Sequence, residues 1–387
     1  MAKIFIPKEI APRETRVAST PDTVKRYIKT GHSVFVEQGA GLGAHITDDM
    51  YIEAGATIVP SGKSGWSDAD VVLKVRTLDE NREGGFKEID QLKEGAILIG
   101  LLAPYKSESM VSTLAQRKIS ALSMELVPRI SRAQSMDALS SQANIAGYKA
   151  VLLAANRLEK YFPQLMTAAG TVRPAKVVII GAGVAGLQAV ATAKRLGALV
   201  EVSDIRPEVK EQVQSLGARY IEPPSDENGA GEGGYAREVT KEYLAAQQKA
   251  LAEHIALADV VITTALVPGR PAPKIVSEEM VKSMKAGSVI VDLAVEEGGN
   301  CELSEMDQEV TKYGVHIIGT SNLPATVSKD AANLYARNVF ELAQLFLKEG
   351  GTTLPLDDEV IKGALITHSG EVYFKPFISQ TKEEKTS

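Results

Sequence analysis

Hydrophobic and polar positions along this chain follow two alternating rhythms. Short apolar runs, KIFIP, HSVFVEQ, DADVVLKV, GAILIGLL and ISALSMEL, have the length and β-branched content of buried strands. Between them, DTVKRYIKTG and SMVSTLAQRK repeat apolar residues at three- and four-residue intervals, the spacing of one helix face. Strands that alternate with helices in this way predict an α/β fold with a mostly parallel sheet.

The rhythm is interrupted once and then restarts. ALSSQANIAGYKAVLLAANRLEKYF, residues 138 to 162, reads as one long helix, apolar on most faces, suited to a buried connection between domains. After it come KVVIIG, VAGLQAVATAKRLG, ALVEVSD, PEVKEQVQSLG, ARYIEP, a further long helix, DVVITTAL, EEMVKSMKAG, SVIVDLA and HIIGT, enough for a complete second sheet of nucleotide-binding type. The helix SKDAANLYARNVFELAQLFLKEG and a hairpin in ALITHSGEVYF are expected to rejoin the first domain. The expectation is two Rossmann-like, doubly wound domains: residues 1–137 with 328–387, and residues 138–327.

Composition narrows the function classes. A chain of 387 residues accommodates two or three domains at roughly 100 to 200 residues each. A net charge of −6 and a pI near 5.6, without basic clusters, argue against a nucleic-acid partner. No apolar run approaches the ~18 uncharged residues of a membrane span. The opening MAKIFIPKEIAPRE reads as a strand followed by charge instead of a leader, so the cytoplasm is the expected compartment. The single cysteine, Cys301, excludes an internal disulfide framework, and the five histidines have no metal-ligand spacing, so no metal site is expected.

The strongest chemical signal is KVVIIGAGVAGLQAVATAKRLGALVEVSD. Gly181, Gly183 and Gly186 form G-x-G-x-x-G between a strand and a helix, and Asp204 follows at the tip of the next strand. In such a turn the first glycine permits the bend, the second lets backbone approach a pyrophosphate, and the third lets helix pack on strand, with the phosphates at the helix N-terminus. A carboxylate at Asp204 can accept hydrogen bonds from both adenosine ribose hydroxyls, which favours NAD over NADP, with Arg206 nearby as the contrary feature. The cofactor-binding set is therefore Gly181, Gly183, Val184, Ala185, Gly186, Asp204, Ile205, Arg206 and Tyr235, with Ala265 and Leu266 at the end of DVVITTAL. Tyr235 closes the glycine-rich segment PPSDENGAGEGGYA, residues 223 to 236, where an aromatic at the end of a loop can cover a ligand. A second glycine string, EQGAGLGAHITDD, with Gly39, Gly41 and Ala44, has no acid at the tip of its following strand and reads as a tight loop.

Ahead of the long helix, RISRAQSMDALSSQ, residues 129 to 142, concentrates polar groups. Capping by Asp137 or Ser135 of a helix that starts near Ala138 accounts for one residue and leaves Arg129, Arg132 and Gln134 without a purpose.

PKEIAPRETRVASTP, EQGAGLGAHITDD, AGTVRPAKVVIIGAGVAG and SVIVDLAVEEGGN together resemble one superfamily, the alanine dehydrogenases and the NAD(H)-binding component of proton-translocating nicotinamide nucleotide transhydrogenase. The resemblance spans nearly the whole chain and implies a nucleotide held in the cleft between two domains. RISRAQSMDALSSQANIAGY resembles the signature loop of the transhydrogenase branch. That resemblance implies that Arg129, Asp137 and Ser140 orient the nicotinamide and its ribose or phosphates, and that Gln134 reaches towards a second nucleotide on a partner. The dehydrogenase branch needs an acid/base histidine, and AILIGLLAPYK, where it should fall, has none; Glu296 stands where that branch has an aspartate. Arg16 and Lys74 match that branch's substrate-binding positions but serve equally as structural ion-pair formers. The implied cofactor is NAD(H), with NADP(H) on the partner. The implied partners are NADP(H)-binding and membrane-spanning subunits and a second copy of the chain, with the protein peripheral on the cytoplasmic membrane face. The alternatives are an alanine dehydrogenase-like oxidoreductase and a non-catalytic NAD sensor.

Overall fold

Two separate, mainly parallel sheets carry the chain. The computed structural model describes residues 1–82, 84–222, 241–267, 269–348, 351–374 and 376, so Tyr235 and the segment 223–236 lie outside the described residues. The first sheet takes β1 (Lys3–Ile6), β2 (Ser33–Glu37), β3 (Thr57–Val59), β4 (Val71–Leu73), β5 (Ile97–Gly100) and β6 (Ser120–Ser123). After the long helix Ala138–Arg157 come a hairpin of β7 (Leu165–Thr167) and β8 (Gly170–Val172), and then the second sheet. Its strands are β9 (Lys176–Ile180), β10 (Leu199–Ser203), β11 (Arg219–Tyr220), β12 (Val260–Thr263), β13 (Val289–Asp292), β14 (Glu309–Lys312) and β15 (Val315–Ile318). The last strands, β16 (Leu365–His368) and β17 (Glu371–Val372), pair antiparallel and extend the first sheet through β6.

The orders are β17-β16-β6-β5-β4-β1-β2-β3 and β11-β10-β9-β12-β13-β15-β14. The chain accordingly divides into one unit of residues 1–142 with 324–387 and another of residues 143–323. Continuous apolar runs such as VVL in β4 and VVII in β9 are buried at every residue, as expected of strands covered on both faces.

Three elements differ from the sequence reading. The helix expected to reach residue 162 ends at Arg157. Leu158 and Phe162 keep the apolar spacing but pack as irregular backbone in the core of the second unit, where Pro163 opposes a continuing helix. The hairpin of β7 and β8 and the antiparallel edge strand β14 have no counterpart in the sequence pattern, because their residues are exposed or half-buried and so carry no continuous apolar run.

In each sheet the strand order reverses once, at β1 and β4 in the first and at β9 and β12 in the second. Open α/β sheets leave a crevice at the carboxyl ends of the strands at such a point. The first unit fills its crevice with charge. Lys74, directly after β4 and without solvent exposure, sets its Nζ 2.6 Å from Glu88 Oε2, 3.3 Å from Asp79 Oδ2 and 3.4 Å from Glu9 Oε2, with Glu9 just beyond β1. Arg82 joins Glu88 at 2.5 Å to Glu37 at 2.7 Å, and its guanidinium and the Lys74 ammonium both lie over the Trp66 ring. Arg16 donates to both oxygens of Glu14 at 2.8 and 2.7 Å and to Gln142 Oε1 at 2.9 Å, and Arg76 Nε donates to Glu14 at 3.0 Å.

Burial disfavours the Lys74 ammonium, but Glu9, Glu88 and Asp79 more than offset that and raise its pKa. For Glu9 the balance goes the other way. Burial pushes its carboxyl up to about 7 against the opposing pull of Lys74 and the Val75 amide, which donates to Oε1 at 2.6 Å. Between about pH 4.5, the ordinary value, and about 7, the folded chain thus holds a proton that the unfolded chain has released. The Glu9 contribution to stability is present below that window and is lost as pH rises through it. Trp66, the single tryptophan, lies fully buried in this unit and reports its unfolding. In urea titrations followed by Trp66 fluorescence, Glu9→Gln should gain stability relative to the unaltered chain as pH rises from 5 towards 8. A difference between the two that does not vary with pH would refute this account.

Candidate functional site

The reversal point of the second sheet is built in the opposite manner, from glycine and small polar residues. Gly181 leaves β9 at φ +99°, and a Cβ there would meet Thr264 Oγ1 at 2.5 Å. Thr264, directly after β12, donates that hydroxyl to the carbonyls of Ile180 and Gly181 at 3.1 Å each and so closes the two strand ends together. A Cβ on Gly186 would lie 1.8 Å from the Gly181 carbonyl oxygen, so only glycine permits the helix Val184–Arg195 to sit this close to its strand. The helix Ala138–Arg157 makes a similar approach: a Cβ on Gly147 would meet the Ala185 carbonyl oxygen at 2.0 Å.

Gly183 is different. It caps the helix at φ −77°, a value open to any residue, and a Cβ there would have nothing within 4 Å. Neither backbone strain nor packing within the protein requires glycine at this position. The space beyond it faces the first turn of a helix that has no side-chain cap, where free N–H groups and the helix dipole favour an anion.

Asp204, one residue past β10, is occupied on every side. Its Oδ2 accepts from the Ala182 amide at 2.6 Å and from Arg206 Nη2 at 2.9 Å, while Oδ1 accepts from the Arg206 amide at 2.8 Å and Nε at 3.0 Å. Burial alone would raise its pKa; the Arg206 and Ala182 hydrogen bonds outweigh burial and hold it below the usual carboxylate value. Four donors exhaust the acceptor sites of one carboxylate. Ribose hydroxyls could therefore be taken only if the Arg206 side chain, which is half exposed, swings away. Ile205, Val184 and Leu266 stand out as large apolar side chains in solvent around the carboxyl ends of β10, β9 and β12. Ala265 is clamped by the buried Asn300, which accepts from its amide at 2.9 Å and donates to its carbonyl at 2.8 Å and to that of Pro273 at 2.9 Å. Thr264 and Asn300 are invisible to a sequence reading: a lone hydroxyl or amide has no periodicity, and its partners lie far off in the chain.

In the first unit, Ser131–Met136 forms a 3-10 helix directly ahead of the helix Ala138–Arg157. Ala133 and Met136 anchor it in the core, while Arg129, Gln134 and Ser135 are exposed. Asp137 is the helix cap: Oδ1 accepts from the Ser140 amide at 2.8 Å and Oδ2 from the Ser140 hydroxyl at 2.5 Å. Arg132 has a structural purpose that the sequence left open, a two-pronged ion pair to Asp358 at 2.9 and 3.0 Å. That pair, together with the Val360 and Ile361 amides and against the opposing effect of partial burial, brings the Asp358 carboxyl down to about 2. Among the described residues, the side chains of Arg129 and Gln134 have no hydrogen-bond or ionic partner in the protein.

The remaining glycine string is a packed loop. A Cβ on Gly41 would meet the Ile46 carbonyl at 2.7 Å and one on Gly43 the Thr15 carbonyl at 2.7 Å, and the following helix starts only at Asp48 with Thr47 as cap. In the segment without histidine, Ala103 adopts φ 47° and donates its amide at 2.5 Å to the Glu125 carboxylate, which also accepts from Leu102 and Ser123.

The chain matches the family description "Alanine dehydrogenase/PNT, N-terminal domain" over residues 5–146 and "Alanine dehydrogenase/PNT, C-terminal domain" over residues 150–375. It is 49% identical over 374 residues to an NAD(P) transhydrogenase subunit alpha polypeptide of Rhodospirillum rubrum, covering 96% of this chain and 97% of that one. The alanine dehydrogenase of Bacillus subtilis is 31% identical over 382 residues, covering 96% and 93%. The crystal structure of transhydrogenase from Sinorhizobium meliloti superposes with a TM-score of 0.85 at 45% identity, covering 96% of this chain and 99% of that one.

The two glycines separate packing from ligand space. Gly186→Ala should lower the stability of the second unit by about 1–3 kcal/mol, the usual range for an overpacked site, whereas Gly183→Ala should leave it unchanged. Urea unfolding followed by circular dichroism tests this, and equal losses for the two variants would contradict it.

Proposed function

The chain belongs to the alanine dehydrogenase/PNT family, and we propose that it is the NAD(H)-binding component of a proton-translocating transhydrogenase, passing hydride from NADH to NADP+ on a partner subunit. The observation that carries the nucleotide reading is the empty space at Gly183, which lies at a strand-order reversal and a helix N-terminus. In this reading the turn Gly181–Gly186 receives the pyrophosphate on its amides, with Val184 and Ala185 at the rim. Asp204 takes the adenosine ribose once Arg206 has released it, and Ile205, Ala265 and Leu266 supply apolar contact to the base and its ribose. Tyr235, to which the sequence reading gives the role of covering the ligand, lies outside the described residues.

Bound nicotinamide supplies the hydride chemistry. Transfer between two ring carbons needs no proton at the reacting atoms, so the protein's task is to hold the rings at roughly 3–3.5 Å. That suits a polar loop without histidine. Arg129, Asp137 and Ser140 orient the nicotinamide end, the last two already locked to each other, and Gln134, exposed and unpartnered, addresses the second nucleotide. The state of Arg16 and Lys74 speaks against amino-acid oxidation: internal carboxylates already occupy both cations, so a substrate carboxylate would have to displace Glu14 or Glu88 from a buried ion pair. Among the described residues no helix is long and apolar enough to cross a membrane. Proton translocation in this reading falls to membrane-spanning subunits, with the chain a homodimer held peripherally on the cytoplasmic face.

Mixing the chain with an NADP-binding transhydrogenase component and following reduction of an NADP analogue by NADH tests the assignment directly. Gln134→Asn should slow transfer by about two orders of magnitude, the loss that accompanies a misplacement of about 1 Å, while NADH affinity of the isolated chain stays as it was. An unaltered rate, or an equal loss in affinity, removes Gln134 from this role.

Titrations of the isolated chain should favour NADH over NADPH. Asp204→Ala should weaken NADH by roughly ten- to a hundredfold, the worth of hydrogen bonds to a charged group, and narrow the preference. Equal affinity for the two nucleotides in the unaltered chain would defeat the ribose assignment.

A further inference from the structure

We propose that Asn338 is a positioning residue for the loop 129–142: from the helix Ser328–Ala343 its amide grips that loop on both sides of Asp137 and so sets where Gln134 and Asp137 stand. Nδ2 donates to the Ser135 carbonyl at 2.7 Å, and Oδ1 accepts from the Ser141 hydroxyl at 2.7 Å. Ser135 lies between Gln134 and Asp137, and Ser141 lies in the first turn of the helix that Asp137 caps.

The choice of an amide here is informative. Asn338 is 8% exposed on a face whose neighbours Tyr335, Val339 and Leu342 are buried, and an apolar side chain would serve packing there without the desolvation that a buried amide incurs. Both ends of the amide are spent on the one loop, which only a group that donates and accepts at once can do. The helix start is fixed from its other side too. Gln142 donates to the Ala331 carbonyl and to Ser141 Oγ at 3.2 Å each and accepts from Arg16 of the buried ion network. Ser141 is thereby a firm point from which Asn338 can define the Ser135 carbonyl. The loop's other anchors are the Arg132–Asp358 pair, buried Ala133 and Met136, and the Asp137–Ser140 cap; among the described residues the Asn338 bond is the single side-chain hydrogen bond made to the stretch Gln134 to Met136.

The kinetic consequence rests on the transhydrogenase reading above, while the grip on the loop does not. Asn338→Asp keeps the shape but, when ionised, cannot donate to the Ser135 carbonyl; when protonated it can. Single-turnover hydride transfer in the reconstituted complex should therefore fall by roughly ten- to a hundredfold at alkaline pH and recover as pH falls, with NADH affinity of the isolated chain little changed. Amide exchange over residues 131–137 should quicken at alkaline pH and return at acid pH, with the second unit unaffected. Ser141→Ala, which removes the other half of the grip, should slow transfer without acid recovery, and it carries the test should the first variant fail to fold. If the unaltered chain transfers no hydride, the function reading falls, and exchange alone then decides whether Asn338 holds the loop. The proposal is overturned if both variants match the unaltered chain in exchange and transfer. It is overturned equally if rate, NADH affinity and exchange across the whole first unit all worsen together at every pH.

Discussion

A parallel sheet wound in both directions has one place where neighbouring strands send their crossovers to opposite faces, and the backbone there parts and leaves a gap that something must occupy. Both sheets of this chain face that geometry, at β1 and β4 and at β9 and β12. They resolve it with opposite chemistry. In one the gap is packed by Glu9 and Lys74, the centre of an ion network that reaches Glu37 and Glu88 through Arg82. In the other, Thr264 ties the strand ends, and the glycines leave the adjoining volume clear. That contrast is what supports the proposed placement of a nucleotide at the second sheet instead of the first.

The same contrast explains how the polar loop 129–142 can be both rigid and available. Its capping pair, Asp137 and Ser140, and its ion pair, Arg132 and Asp358, use groups that satisfy one another, while the side chains of Arg129 and Gln134 are left over without a hydrogen-bond or ionic partner among the described residues. The cap takes its hydrogen bonds from Ser140, three residues on, and so draws on neither Arg129 nor Gln134.

The architecture is legible in the sequence because it is written in local terms. Buried parallel strands announce themselves as apolar runs, and Gly181 and Gly186 stand where backbone geometry and close packing demand glycine. What escapes is set by distance in the chain or by exposure. The strands β7, β8 and β14 lie at the surface and bury too little to show a pattern. Glu9 meets Lys74, and Asn300 clamps Ala265, across dozens of positions, and no periodicity records such a pairing. Arg132 reads as one of the polar groups of its loop because its partner, Asp358, lies more than two hundred residues away. In the sequence Arg206 reads as a complication for cofactor choice, whereas the structure gives it hold of the carboxylate itself.

The ion network in the first unit also has a historical meaning. Its members share partners, so their contributions are coupled, and removing one from a buried set typically costs about 3–5 kcal/mol because the charge left behind has no counterion. A typical domain has a total of only about 5–15 kcal/mol of stability to lose. A substitution of Lys74 or Glu88 alone would leave its partner as a buried charge, so the two would have to change nearly together. The network thus acts as a ratchet on its own charges, holding Lys74 and Glu88 in place together.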